Sequence, residues 1–147
     1  MVKTQKKYEC NGTLIKNDDI QAIGETLDVL TSNNGGKLTP TIVVKEASKK
    51  NSVLHEYFEW DNTKAAKQWR IQQARNIIAG VAEVVIIKTK PSIKRSFFSV
   101  TENGQKNYVT LRKAITTKSH RKELLSKIRN HLVNTTELMD LLLEHEN

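Results

Sequence analysis

The sequence predicts an α+β fold: an N-terminal helical, helix-turn-helix-like head, a small antiparallel sheet with a basic wing-like hairpin, and a long C-terminal helix. Three observations carry that prediction. Apolar residues recur at helical spacing between Asp18 and Gly80. β-Branched and aromatic runs replace them between Val81 and Thr110. A leucine-rich period of three and four then returns after Ser119.

Residues 1–17 read as a flexible basic arm with a turn signal at Asn11-Gly12, and Leu14-Ile15 as a short strand or staple to the core. Asn17 or Asp18 is placed to cap the first helix, whose Ile20, Ile23, Leu27 and Leu30 share one face. Asn33-Asn34-Gly35-Gly36 stops it. Thr39 is an N-cap, and Pro40 occupies the first helical position, where a missing N–H costs nothing. Ile42, Val43 and Ala47 supply the inner stripe of this second helix. The pair fits either a helix-turn-helix unit with a long turn or two ordinary packed helices.

Leu54, Tyr57, Phe58 and Trp60 crowd seven residues and read as a core anchor, because each buried ring removes a large area from water. Asp61 or Asn62 caps the next helix, with Ala66, Trp69, Gln73 or Ala74, Ile77 and Ile78 facing inward and Gly80 ending it. Val81–Lys88 reads as a strand ended by Pro91. Ser96–Val100 and Asn107–Thr110 flank the Asn103-Gly104 hairpin turn. Ser119 opens a helix to about Glu144. Its Leu125, Ile128, Leu132, Thr135, Met139 and Leu142 alternate gaps of three and four. That seam fits a homodimer contact or a last core helix. The domain plan is therefore an arm at 1–17, a head and sheet at 18–113, and a C-terminal helix at 114–147.

The chain has 147 residues, one cysteine (Cys10) and a net charge of +8. That length suits one domain with an arm or tail. No run approaches the roughly 18 apolar residues of a membrane span. A lone cysteine and no secretory leader pattern lead to a cytoplasmic expectation, with no membrane partner. The positive excess lies wholly within residues 61–113, the remainder being balanced. A localised positive field attracts polyanions.

The expected nucleic-acid-binding residues are Thr41, Lys45, Lys49, Arg70, Arg75, Lys88, Lys90, Lys94 and Arg95. Lys88–Arg95 holds four cations and no acid, the composition of a wing reaching a phosphate backbone or of a loop kept soluble by its lysines. Thr41 and Lys45 are placed to reach base edges if the second helix enters a groove. His55, Glu56, Glu59 and Asp61 match no metal-ligand spacing. The scattered histidines, with no phosphate loop or nucleophile elbow, predict no catalytic set, no metal and no cofactor.

Leu38-Thr39-Pro40, Ser52-Val53-Leu54-His55, Phe58-Glu59-Trp60-Asp61, Ala65-Ala66, Arg70 and Gln73-Ala74-Arg75 together form a specific pattern. It resembles a family of small phage and prophage proteins with no assigned activity. A weaker likeness runs through Phe97–Val100, Tyr108-Val109 and the leucine-rich tail. The resemblance implies a bacterial or phage-infected cell and carries over no catalytic residue.

The expected function is a non-enzymatic DNA-binding protein of phage or prophage type, a regulator or an accessory of recombination or packaging. A homodimer through Leu125, Ile128, Leu132, Met139 and Leu142 would suit paired half-sites. The alternative is a protein-interaction module that binds and redirects or inhibits a host protein.

Overall fold

The computed structural model describes residues 5–61 and 63–146, all but the side chain of Lys64. The fold is α+β and divides into two compact units, residues 1–111 and 112–147. The first unit holds α1 (Ile20–Asn33), α2 (Pro40–Ala47), α3 (Lys64–Ala79) and five strands. β1 (Tyr8–Cys10), β2 (Val81–Ile87) and β3 (Lys90–Arg95) form one antiparallel sheet in that order; β4 (Phe97–Glu102) and β5 (Gln105–Thr110) form a second. The second unit is essentially α5 (Lys118–Glu144); α4 (Leu111–Thr116) precedes it across the boundary.

The core of the first unit gathers Ile20, Ile23 and Leu27 of α1, Val43 and Ala47 of α2, and Ala74, Ile77 and Ile78 of α3. Leu54 and Phe58 join it, and Tyr57 and Trp60 pack against its edge, so the aromatic cluster is an anchor as expected. Thr39 caps α2, its hydroxyl accepting from the Ile42 N–H at 3.3 Å. α2 takes α3 as its principal partner and makes few contacts with α1. The intervening loop is instead held by β5, through paired backbone bonds of 2.8 Å between Leu38 and Tyr108.

Several local expectations change. Residues 8–15 are no free arm: β1 pairs with β2, and Tyr8 and Ile15 are buried. The hydrophobic effect claims this segment because Tyr8 fills the space above Gly24. α1 is capped by Asp19, not Asn17 or Asp18, and its carboxylate accepts from the Tyr57 hydroxyl instead of a helix N–H. Thr63 caps α3, its hydroxyl accepting from Ala66 N–H at 3.2 Å; Asn62 lies outside the described residues. Trp69 is 53% exposed, and Arg70 takes the inward stripe in its place. α5 begins at Lys118, one residue before the expected Ser119 cap. The unit boundary falls at 111, two residues before the expected 113.

Burial, then the carboxylates of Asp28 and Glu83, push the Tyr8 phenol far above its ordinary value of 10.0. The unfolded chain ionises this tyrosine first, so its contribution is complete below the ordinary value and declines as pH rises past it. Burial and the bond to Asp19 shift Tyr57 the same way. Tyr8→Phe is therefore expected to reduce, without abolishing, the alkaline loss of stability. Urea midpoints of both proteins at about pH 8 and about pH 11 measure it, and equal losses would acquit Tyr8.

Candidate nucleic-acid interface

Gly80 ends α3 and β2 leaves the core directly behind it. Val81, Ala82 and Glu83 are buried; Ile86 and Ile87 are exposed. The chain then turns through Lys88 and Thr89, whose φ of 48° and 70° are both left-handed. Two such residues make the tight reversal whose twist matches a β-ribbon. β3 returns in register, with Ile87 opposite Lys90, Ile86 opposite Pro91 and Ala82 opposite Arg95. Residues 88–95, expected as a loop after a strand ended by Pro91, are thus a turn and a strand. Pro91 is tolerated because β3 is an edge strand with β2 as its one neighbour.

Ser96 anchors the base of this ribbon. It is buried, its N–H donates to Val81 O at 3.1 Å, and its carbonyl accepts from Leu111 N–H at 2.9 Å. Its hydroxyl donates to the buried Glu83 carboxylate at 2.9 Å. Glu83 stands opposite Lys94 in register, yet its carboxylate serves Ser96 and, at 4.0 Å, Lys6. Lys94 keeps its charge for solvent.

Lys88, Lys90, Lys94 and Arg95 are all exposed. Among the described residues, none of the four lies within salt-bridge distance of an acid. Cross-strand pairing puts Lys90 and Lys94 on one face of the ribbon, with Val85 and Ile87. Arg95 lies on the other face, with Ile86, Pro91 and Ile93. Ile86 is 68% and Ile93 59% exposed. The ribbon is therefore cationic around its circumference and apolar along one side. Sequence reasoning missed that side, because isoleucines in a strand read as interior residues.

The other expected contacts stand elsewhere. Thr41, Lys45 and Lys49 follow one another at four-residue intervals along the exposed side of α2 and just beyond it. Lys49 is paired with Glu46 at 2.6 Å. Arg75 is exposed on α3. Arg70 is committed to the fold: its guanidinium lies 5.4 Å from the Trp60 ring centroid and donates to the Asp61 carbonyl. Trp60 in turn stacks on His55 at 4.9 Å and donates its indole N–H to the His55 carbonyl at 3.0 Å. His55 Nδ1 is bonded to the Ala47 carbonyl at 2.7 Å, which ties the cluster to the end of α2. An arginine over an indole face gains both packing and electrostatic attraction.

No helix among the described residues is long and apolar enough to cross a membrane. No family model matches the chain, and no match is found among curated proteins or solved structures.

Proposed function

We propose that the protein binds DNA through the β2–β3 ribbon. The supporting observation is the concentration of four exposed cations, none paired with an acid among the described residues, on one hairpin beyond the core. A two-stranded ribbon fits a DNA groove, and cations on both of its faces meet the phosphates of both walls. The Ile86–Pro91–Ile93 side supplies the apolar surface that minor-groove proteins press against, or wedge between, base steps. Lys45 and Arg75 extend the set of cations without acidic partners among the described residues. Such a protein would act without catalysis, as a regulator or an accessory of recombination or packaging, in keeping with the resemblance to small phage and prophage proteins.

Fluorescence anisotropy with labelled duplex and single-stranded DNA tests this across a salt series. Binding that weakens steeply with salt supports it. No binding at low salt overturns it, and a nuclease-resistant partner from lysate would then favour recognition of a host protein. The apolar side has its own test. Ile86→Thr with Ile93→Thr keeps β-branching at two exposed sites, so the unfolding free energy should stay within about 0.5 kcal/mol of the parent. Duplex affinity should fall while the salt slope holds. An unchanged affinity would leave the cations as the whole interface.

A further inference from the structure

We infer that α5 pairs with α5 of a second copy of this chain, and that the two helices run antiparallel. Nine large apolar side chains of this helix are 43–61% exposed, from Leu125 to Leu143. Six of them, Leu125, Ile128, Leu132, Met139, Leu142 and Leu143, share one side of the helix, and an exposed apolar stripe of that extent marks an interaction face. Its seam, from Leu125 to Leu142, runs roughly 27 Å at the helical rise. Thr135 is the one polar member, and its hydroxyl is satisfied by the His131 carbonyl at 2.7 Å.

Charge fixes the direction. Lys118, Arg121, Lys122, Lys127 and Arg129 stand against Glu123 alone in residues 118–131. Glu137, Asp140 and Glu144 occupy residues 132–144 with no cation among them. This distribution opposes the helix macrodipole at both ends, since cations crowd the N-terminus and acids the C-terminus. Within one helix it is unfavourable. In a parallel pair it is worse, because like halves face each other along the whole seam. In an antiparallel pair each basic half lies beside an acidic half, and the two dipoles cancel. The seam accepts that arrangement in one register: Leu125 opposite Leu142, Ile128 opposite Met139, and Leu132 opposite Thr135. The same register lays Lys127 and Arg129 along the stretch of the second copy that holds Glu137, Asp140 and Glu144. Lys127 itself is held at 2.9 Å by Glu123 of its own helix, away from the seam. This pairing does not depend on the DNA-binding proposal.

The test uses the full chain with Cys10→Ser, carrying either Ile128→Cys or Met139→Cys, one of the two bearing a mass tag. In the antiparallel register position 128 faces 139, while the two copies of 128 are roughly 16 Å apart along the axis, beyond disulfide reach. Mixing the two proteins and oxidising them should yield roughly tenfold more cross-linked product between the two variants than within either. Light scattering of the parent chain should give a dimer, and Ile128→Glu with Met139→Glu a monomer of unchanged helical circular dichroism. A monomeric parent overturns the inference. So does cross-linking of each variant chiefly to itself, the signature of a parallel pair. A dimer that forms no 128–139 link also overturns it.

Discussion

A variant in which Lys88, Lys90, Lys94 and Arg95 are all glutamine is expected to lose most of its DNA affinity and much of its salt sensitivity. Glutamine keeps part of each stem and removes the charge, so the ribbon retains its shape. Each phosphate contact releases about 0.9 counter-ions, so four lost contacts flatten the slope of log affinity against log salt by roughly 3.6. Between about 50 and about 200 mM salt, the parent should then weaken roughly 100-fold more than the variant. All sequences should be affected alike, because phosphates carry no sequence information. Stability should hold, since the four side chains are exposed and make no ion pair with the described residues. A variant with the parent's salt slope would show that these cations do not touch phosphate.

Gly24→Ala is expected to destabilise the first unit although it places the best helix former in the middle of α1. Elsewhere in a helix interior the change would gain about 1 kcal/mol. Here a methyl on Gly24 would stand within the ring of the buried Tyr8. Tyr8 cannot yield freely, because β1 is paired with β2 and the Tyr8 N–H donates to Gln21 Oε1 at 3.0 Å. Overpacking of this kind costs about 1–3 kcal/mol, which outweighs the propensity gain at its upper range. The sign should reverse in a Tyr8→Ala background, where the methyl meets open space and the propensity gain of about 1 kcal/mol stands alone. The coupling from the double-mutant cycle should be on the order of 2 kcal/mol, measured from urea unfolding. Equal effects in both backgrounds would mean that the tyrosine ring and the glycine do not meet. Loss of this contact would also loosen β1 from β2, the strand that carries the ribbon.

What the chain order shows without coordinates is local. Thr39-Pro40, the spacing of Ile20, Ile23 and Leu27, and Asn103-Gly104 at φ of 49° and 76° each specify an element from a few neighbouring residues. Caps, periodicity and primed turns are short-range physics, so they are legible. The aromatic cluster around Trp60 was legible for a similar reason, since so many rings in one short stretch can hardly all face water.

The tertiary structure alone decided the rest. β3 carries no strand signal: it holds a proline and three cations, and its turn uses Lys88 and Thr89 where asparagine and glycine would be expected. It forms because β2 offers an unpaired edge, and the residues of β3 do not themselves signal that pairing. Tyr8 is buried because Gly24 leaves room for it, and Arg70 points inward because Trp60 receives it. The sequence by itself determined the fold class, the long amphipathic helix and the segment that holds the excess positive charge. Only the folded chain decided which cations stay exposed with no acid nearby, because that choice depends on partners distant in sequence.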